Sequence, residues 1–139
     1  MTTKEKKLLL KDTCARLPYG VICKISYIIN NETTDGEDVP AETDDKLLRV
    51  MFDNEQVYTE WLGDYIDVEN IMPYLRPMSS MTEEEKGKYK ELTRFVAIYP
   101  DELPELLDWL NENHFDYKGL IPKGLALEAP KDMYNSNEE

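Results

Sequence analysis

The stretch VICKISYII, residues 21–29, decides the fold. Val21, Cys23, Ile25, Tyr27 and Ile29 recur at every second position and share one face, while Lys24 and Ser26 point the other way. Alternation of this kind, rich in β-branched residues, predicts a half-buried strand. Upstream the period changes. Leu8, Leu9, Leu10, Cys14 and Ala15 fall at three- and four-residue steps, which predicts a helix over 4–16 that Pro18 and Gly20 stop. Downstream, residues 30–45 lose the alternation and carry Glu32, Asp35, Glu37, Asp38, Glu42, Asp44 and Asp45 with no Lys or Arg. Self-repulsion and low hydrophobicity predict a mobile acidic loop there, either functional or merely tolerated.

Two apolar runs follow, 47–52 and 57–62, joined by Asp53-Asn54-Glu55-Gln56 as a hairpin turn in which Asn54 can take a positive φ. Leu48, Val50 and Phe52 are expected to face inward, as are alternate residues of Val57, Thr59 and Trp61. Gly63-Asp64 marks a second turn, and Tyr65, Ile66 and Val68 read as a further short strand. Strands this short must curl or be covered to hide their edges, which favours a small bent sheet or an SH3-like barrel. Pro73 and Pro77 bracket Tyr74-Leu75-Arg76, predicting a helical turn with an extended exit.

The grammar then becomes helical. Thr82 can cap a helix with Glu85 as its capping-box partner, and Glu83, Glu84 and Glu85 complement the dipole of the first turn. This helix is expected to reach about residue 94, with Tyr89, Leu92 and Phe95 on its apolar side. Leu103, Leu106, Leu107 and Leu110 set a third helix from about 101 to Asn113 or His114, with Pro104 tolerated in the first turn. Residues 115–134 read as a packed but irregular tail with one short strand at 125–127, and 135–139 as a frayed end. The fold class is therefore α+β. A bent antiparallel sheet or SH3-like barrel over about 21–70 carries one N-terminal helix and two C-terminal helices, in a single domain over 1–134.

Three stretches go beyond generic patterning: LLLKDTCARLPYGV (8–21), PYLRPMSSMTEEE (73–85) and DWLNENHFDYKGLIPKGLALEAPKDMY (108–134). Together they resemble a family of small proteins of Bacteroides-type gut bacteria and their prophages. The resemblance covers well over half of the chain, and the strand region 22–67 matches it in pattern only. It implies a phage or mobile-element origin. It carries no known reaction, so no catalytic residue is transferred from it.

Composition narrows the function classes. The 139 residues carry a net charge of −13, which disfavours direct nucleic-acid binding. No apolar run approaches the ~20 residues that span a bilayer, and no secretory leader is read at the N-terminus, so a cytoplasmic protein without membrane contact is expected. Cys14 and Cys23 are expected as core thiols, and with His114 they cannot complete a Cys/His zinc site. Asp64, Asp67 and Glu69 match no calcium loop, and the glycines form no phosphate cradle. His114 lacks a nucleophile-elbow setting around Ser79, Ser80 or Cys14 and reads as the cap of a helix end. No catalytic, cofactor-binding or metal-ligating residue is assigned, and no enzyme is expected.

The aromatics are more telling. Nine tyrosines, two tryptophans and three phenylalanines concentrate around 52–65 and 109–117. Tyr and Trp give large contact area at low entropic cost, so an exposed set suits protein recognition; the same residues can equally build a small core. Trp61, Tyr65, Tyr74, Arg76, Trp109 and Tyr117 are the candidate partner-binding residues, Arg76 serving either as an anchor or as a partner of nearby acid. The favoured function is a non-enzymatic protein-binding module with a protein partner. The alternative is an acidic inhibitor in which the carboxylates of 32–45 and 83–85 stand in for nucleic-acid phosphates.

Overall fold

The computed structural model describes residues 1–30 and 38–134. The chain divides into two compact units, Met1–Tyr74 and Leu75–Glu139. The division falls in the gap between the sheet core and the helical part that the sequence already separates.

In the first unit, helix α1 runs over Thr3–Arg16 and opens on a capping box: the Glu5 N–H donates to Thr2 Oγ1 (3.0 Å), and the Thr2 N–H donates to Glu5 Oε1 (2.8 Å). Leu9 and Leu10 are buried, as expected of the apolar stripe. Asp12, Thr13 and Arg16 are buried with them, which the pattern of leucines does not suggest. The polar atoms find local partners. Thr13 Oγ1 donates to the Leu9 carbonyl (2.9 Å), and the Arg16 guanidinium grips Asp12 through two bonds of 3.0 and 3.2 Å.

The sheet of this unit has the order β4-β3-β2-β1-β5, with β1 at Ile22–Asn30, β2 at Asp38–Met51, β3 at Gln56–Thr59, β4 at Tyr65–Asp67 and β5 at Ile71–Leu75. The four pairings are antiparallel. Val21, Cys23 and Ile25 are buried on the expected face, beside Leu47, Val57, Val68 and Ile71. The long β2 pairs with β1 from Asp38 to Lys46 and with β3 from Leu47 to Met51. It changes partner at a register shift between Leu47 and Arg49, where an extra residue bends the strand.

That bulge corrects the expected inward set. A one-residue slip exchanges the two faces of a strand, so Leu47 is buried, Val50 is half-buried, and Leu48 and Phe52 are exposed. The acidic loop is corrected as well: Asp38–Asp45 is strand, and residues 31–37 lie outside the described residues. Within β2, Ala41, Thr43 and Asp45 alternate with exposed Pro40, Glu42 and Asp44, a period of two hidden by the carboxylates. The positive φ of the hairpin turn falls on Glu55 (54°), not Asn54. Residues 73–75 form strand rather than a helical turn, Pro73 pairing with Cys23; a proline is tolerated where no ladder bond needs its missing N–H. The sheet is bent but open, with β4, among the described residues, bonded to β3 alone, so the barrel alternative is not realised.

In the second unit, α2 spans Glu83–Ile98 and α3 spans Leu103–Glu112. The expected capping box is present: the Glu85 N–H donates to Thr82 Oγ1 (3.1 Å), and the Thr82 N–H to Glu85 Oε1 (2.9 Å). Met81, Leu106, Leu110 and Phe115 form a core cluster, against which Tyr89, Leu92, Val96, Leu107, Trp109 and Tyr117 are partly buried. Phe95, placed on the apolar side of α2 by the sequence, is exposed, because the packed stripe runs through 89, 92 and 96. The tail holds a short strand, β6, at Leu127–Glu128, and the Ala129 N–H donates to the Leu75 carbonyl (2.8 Å). The expected frayed end, 135–139, lies outside the described residues. Cys14 and Cys23 are free thiols, and burial pushes the Cys23 thiol well up. Among the described residues, no helix is long and apolar enough to cross a membrane.

Candidate functional site

Trp61 stands on the turn between β3 and β4, and that turn is pinned from below. Asp45 is buried, and its carboxylate accepts from the backbone N–H groups of Lys46 (2.8 Å), Trp61 (2.9 Å) and Leu62 (3.2 Å). Three backbone donors meet one carboxylate, whose charge strengthens such bonds, and it holds the turn 16 residues away in sequence. Beyond it, Gly63 takes φ 62°, a left-handed conformation that glycine adopts without a Cβ clash. The indole above remains 70% exposed. Tyr65 follows on β4 at 45% exposure, its ring edge-on to Tyr58 at 5.2 Å, with the Arg49 guanidinium 5.0 Å from the Tyr58 centroid. A rigid turn thus displays a large aromatic in water.

Beside this turn lies a cleft of about 780 Å³, lined by Ser26, Tyr27 and Ile28 of β1, Pro40 to Glu42 of β2, and Tyr65, Ile66 and Asp67 of β4.

In the second unit the chemistry gathers around Arg76. Its guanidinium donates to both oxygens of Glu85 (2.9 and 2.7 Å) and to the Ser80 carbonyl (3.3 Å), and lies 4.3 Å from the centroid of the buried Phe115 ring. The Arg76 side chain holds the Glu85 carboxyl below the usual range, with the Thr82 cap assisting. Trp109 is sandwiched between Tyr89 (6.4 Å) and Phe115 (5.6 Å). The Tyr117 hydroxyl donates to Asn111 Oδ1 (3.1 Å). His114 closes α3 in a left-handed conformation (φ 59°), its N–H donating to the Asn111 carbonyl (3.0 Å) and its ring stacked on Tyr134.

The six candidate residues therefore divide three and three between the units and differ in availability. Trp61 and Tyr65 are presented to solvent. Tyr74 is half-buried and donates its hydroxyl to Asp44 (2.7 Å); burial and this carboxylate push it up to about 12. Arg76, Trp109 and Tyr117 are engaged in internal contacts. Sequence reasoning missed Asp45, whose only signal was its place in the buried alternation of β2. It also missed an exposed apolar set on the second unit, Phe95, Ile98, Tyr99 and Leu103, in which the Phe95 and Tyr99 rings stack at 6.4 Å.

Five of the carboxylates proposed as phosphate mimics have partners among the described residues. Glu42 pairs with Lys24, Glu83 with Lys86 and Glu85 with Arg76, while Asp44 and Asp45 accept the bonds above. Among the described residues no three His, Cys, Asp or Glu side chains are grouped to hold a metal ion. No protein-family model, curated protein or solved structure matches the chain.

Proposed function

We propose that the protein is a non-enzymatic protein-binding module of a phage or other mobile element, acting in the cytoplasm, and that Trp61 is the anchor of its binding surface. One observation carries this reading: a tryptophan kept 70% exposed on a turn that a buried carboxylate holds rigid. A solvated indole leaves its apolar area uncompensated, and it loses little side-chain entropy when a partner covers it. The non-enzymatic part rests on the sequence, which offers no nucleophile setting and no phosphate cradle. The mobile-element part rests on the three stretches quoted above.

Capture of partners from the producing cell with the parent chain, Trp61→Ala and Trp61→Phe tests the reading. A partner retained by the parent, partly by Trp61→Phe and about 30-fold less by Trp61→Ala supports it, as expected of an anchor worth about 2 kcal/mol. Equal retention by all three chains overturns it. The fold is not at risk, since an exposed substitution shifts stability by only about 0.5 kcal/mol.

A further inference from the structure

We infer that the cleft between β1 and β4 is a strand-addition slot, which accepts an extended segment of a partner protein carrying alternating apolar and basic side chains. The inference rests on the binding-module reading and names where and how the partner is held.

The argument begins with strand edges. Among the described residues, β1 pairs with β2 along its whole length while β5 pairs with Cys23, Lys24 and Ile25, so that from Ser26 onward β1 is paired on one side. β4 stands at the margin of the sheet and, among the described residues, pairs with β3. Both open edges line the same cleft, β1 through Ser26, Tyr27 and Ile28 and β4 through Tyr65, Ile66 and Asp67. Its volume of about 780 Å³ falls in the ordinary range of ligand clefts, ~300–1,000 Å³.

An open edge ordinarily carries a deterrent against pairing: Lys, an inward charge or a short strand. Here Ser26, Tyr27 and Ile28 carry no charge, and Ile28 is 67% exposed. An unpaired, uncharged edge of this kind is a template for another strand, whose main chain supplies the missing ladder bonds while alternate side chains enter the cleft. The charge of the walls selects the partner. Glu42 and Asp67 line the cleft, and among the described residues no Lys or Arg does. Lys24, half-buried, meets exposed Glu42 at 3.2 Å, and a pair this open to solvent is weak and leaves the wall receptive to a cation.

The probe is a synthetic peptide of alternating valine and lysine, titrated into the full chain with affinity read by calorimetry and contact read by amide hydrogen exchange. Controls are the valine–glutamate counterpart, a valine–lysine peptide N-methylated at every second residue, and the exposed-site variants Ile28→Lys and Glu42→Lys. The slot requires slowed exchange at residues 26–28 and 65–67. It also requires binding weakened by about tenfold or more by N-methylation and by Ile28→Lys, and to a lesser degree by Glu42→Lys. No binding, equal affinity for the N-methylated or acidic peptide, or protection elsewhere overturns it. Self-association of the chain that protects the same amides also overturns it, by placing a second copy in the slot. If the slot fails while Trp61→Ala still loses a captured partner, the binding-module reading stands alone; if the peptide binds the slot while Trp61→Ala retains every partner, the tryptophan anchor is what fails.

Discussion

Each unit contains one arginine held bidentately by a carboxylate, and the two pairs sit in opposite surroundings. In the first unit Arg16 and Asp12 are both fully buried, one helical turn apart on α1, within a core of Leu9, Leu10 and the sheet. In the second, Arg76 and Glu85 keep about a quarter and a fifth of their side chains in solvent, and the guanidinium lies over Phe115. The chemistry is the same; the dielectric is not. Breaking a buried pair strands a charge that water cannot reach, whereas a rim pair broken at the surface is rescued by solvent. The comparison teaches that the first unit is specified by polar groups it cannot afford to lose singly, and the second by an aromatic cluster with an electrostatic rim.

The comparison is broken most sharply by Asp12→Ala, expected to destabilise the protein by about 3–5 kcal/mol in urea unfolding, since it leaves Arg16 buried without its carboxylate. A loss below about 1 kcal/mol would place this pair in the rim class. Phe115→Ala is expected to cost about as much, 3–5 kcal/mol, through the cavity it opens and the lost platform under Arg76. Hydrogen exchange resolves which unit softens in each case: α1 amides for Asp12→Ala, α3 amides for Phe115→Ala.

A smaller effect sharpens the rim side. Glu85 titrates below its ordinary value in the folded state, so its stabilisation is complete above the unfolded value near 4.3 and is lost as pH falls through the folded value. Glu85→Gln is therefore expected to cost about 1 kcal/mol at pH 7, after allowance for solvent screening, and to flatten the part of the acid limb that Glu85 contributes. An unchanged acid limb would assign it to other carboxylates. The smallest expected effect is a gain. Thr59 Oγ1 is buried without a hydrogen-bond partner among the described residues, so Thr59→Val is expected to stabilise by about 1 kcal/mol, read as a raised unfolding midpoint.

Much of this fold was legible beforehand, and for a common reason. The Thr82–Glu85 capping box, the alternation of 21–25 and the leucines of α3 are signals whose partners lie within a few residues, so each could be read in isolation. The misreadings share a different cause. Leu48 and Phe52 read as inward because nothing near them announces the bulge at 47–49, where β2 changes partner. The run 38–45 reads as loop because its carboxylates outweigh the alternation beneath them. Of the candidate surface, Trp61 and Tyr65 could be named from composition, but so could Tyr74, Arg76, Trp109 and Tyr117, which the structure employs internally. Nothing in residue type distinguishes a displayed aromatic from a packed one.

By itself the order of amino acids determined where the three helices lie, the alternation of β1, and the α+β class, because backbone preference and capping act over one or two turns of chain. Only the tertiary structure decided which face of each element is inside, that Asp12, Arg16 and Asp45 are buried, and that the sheet stays open. Those outcomes depend on groups many residues apart, such as Asp45 and the Trp61 amide, meeting in space. The free energy of such a meeting is set by the solvent it excludes, which no local stretch of sequence encodes.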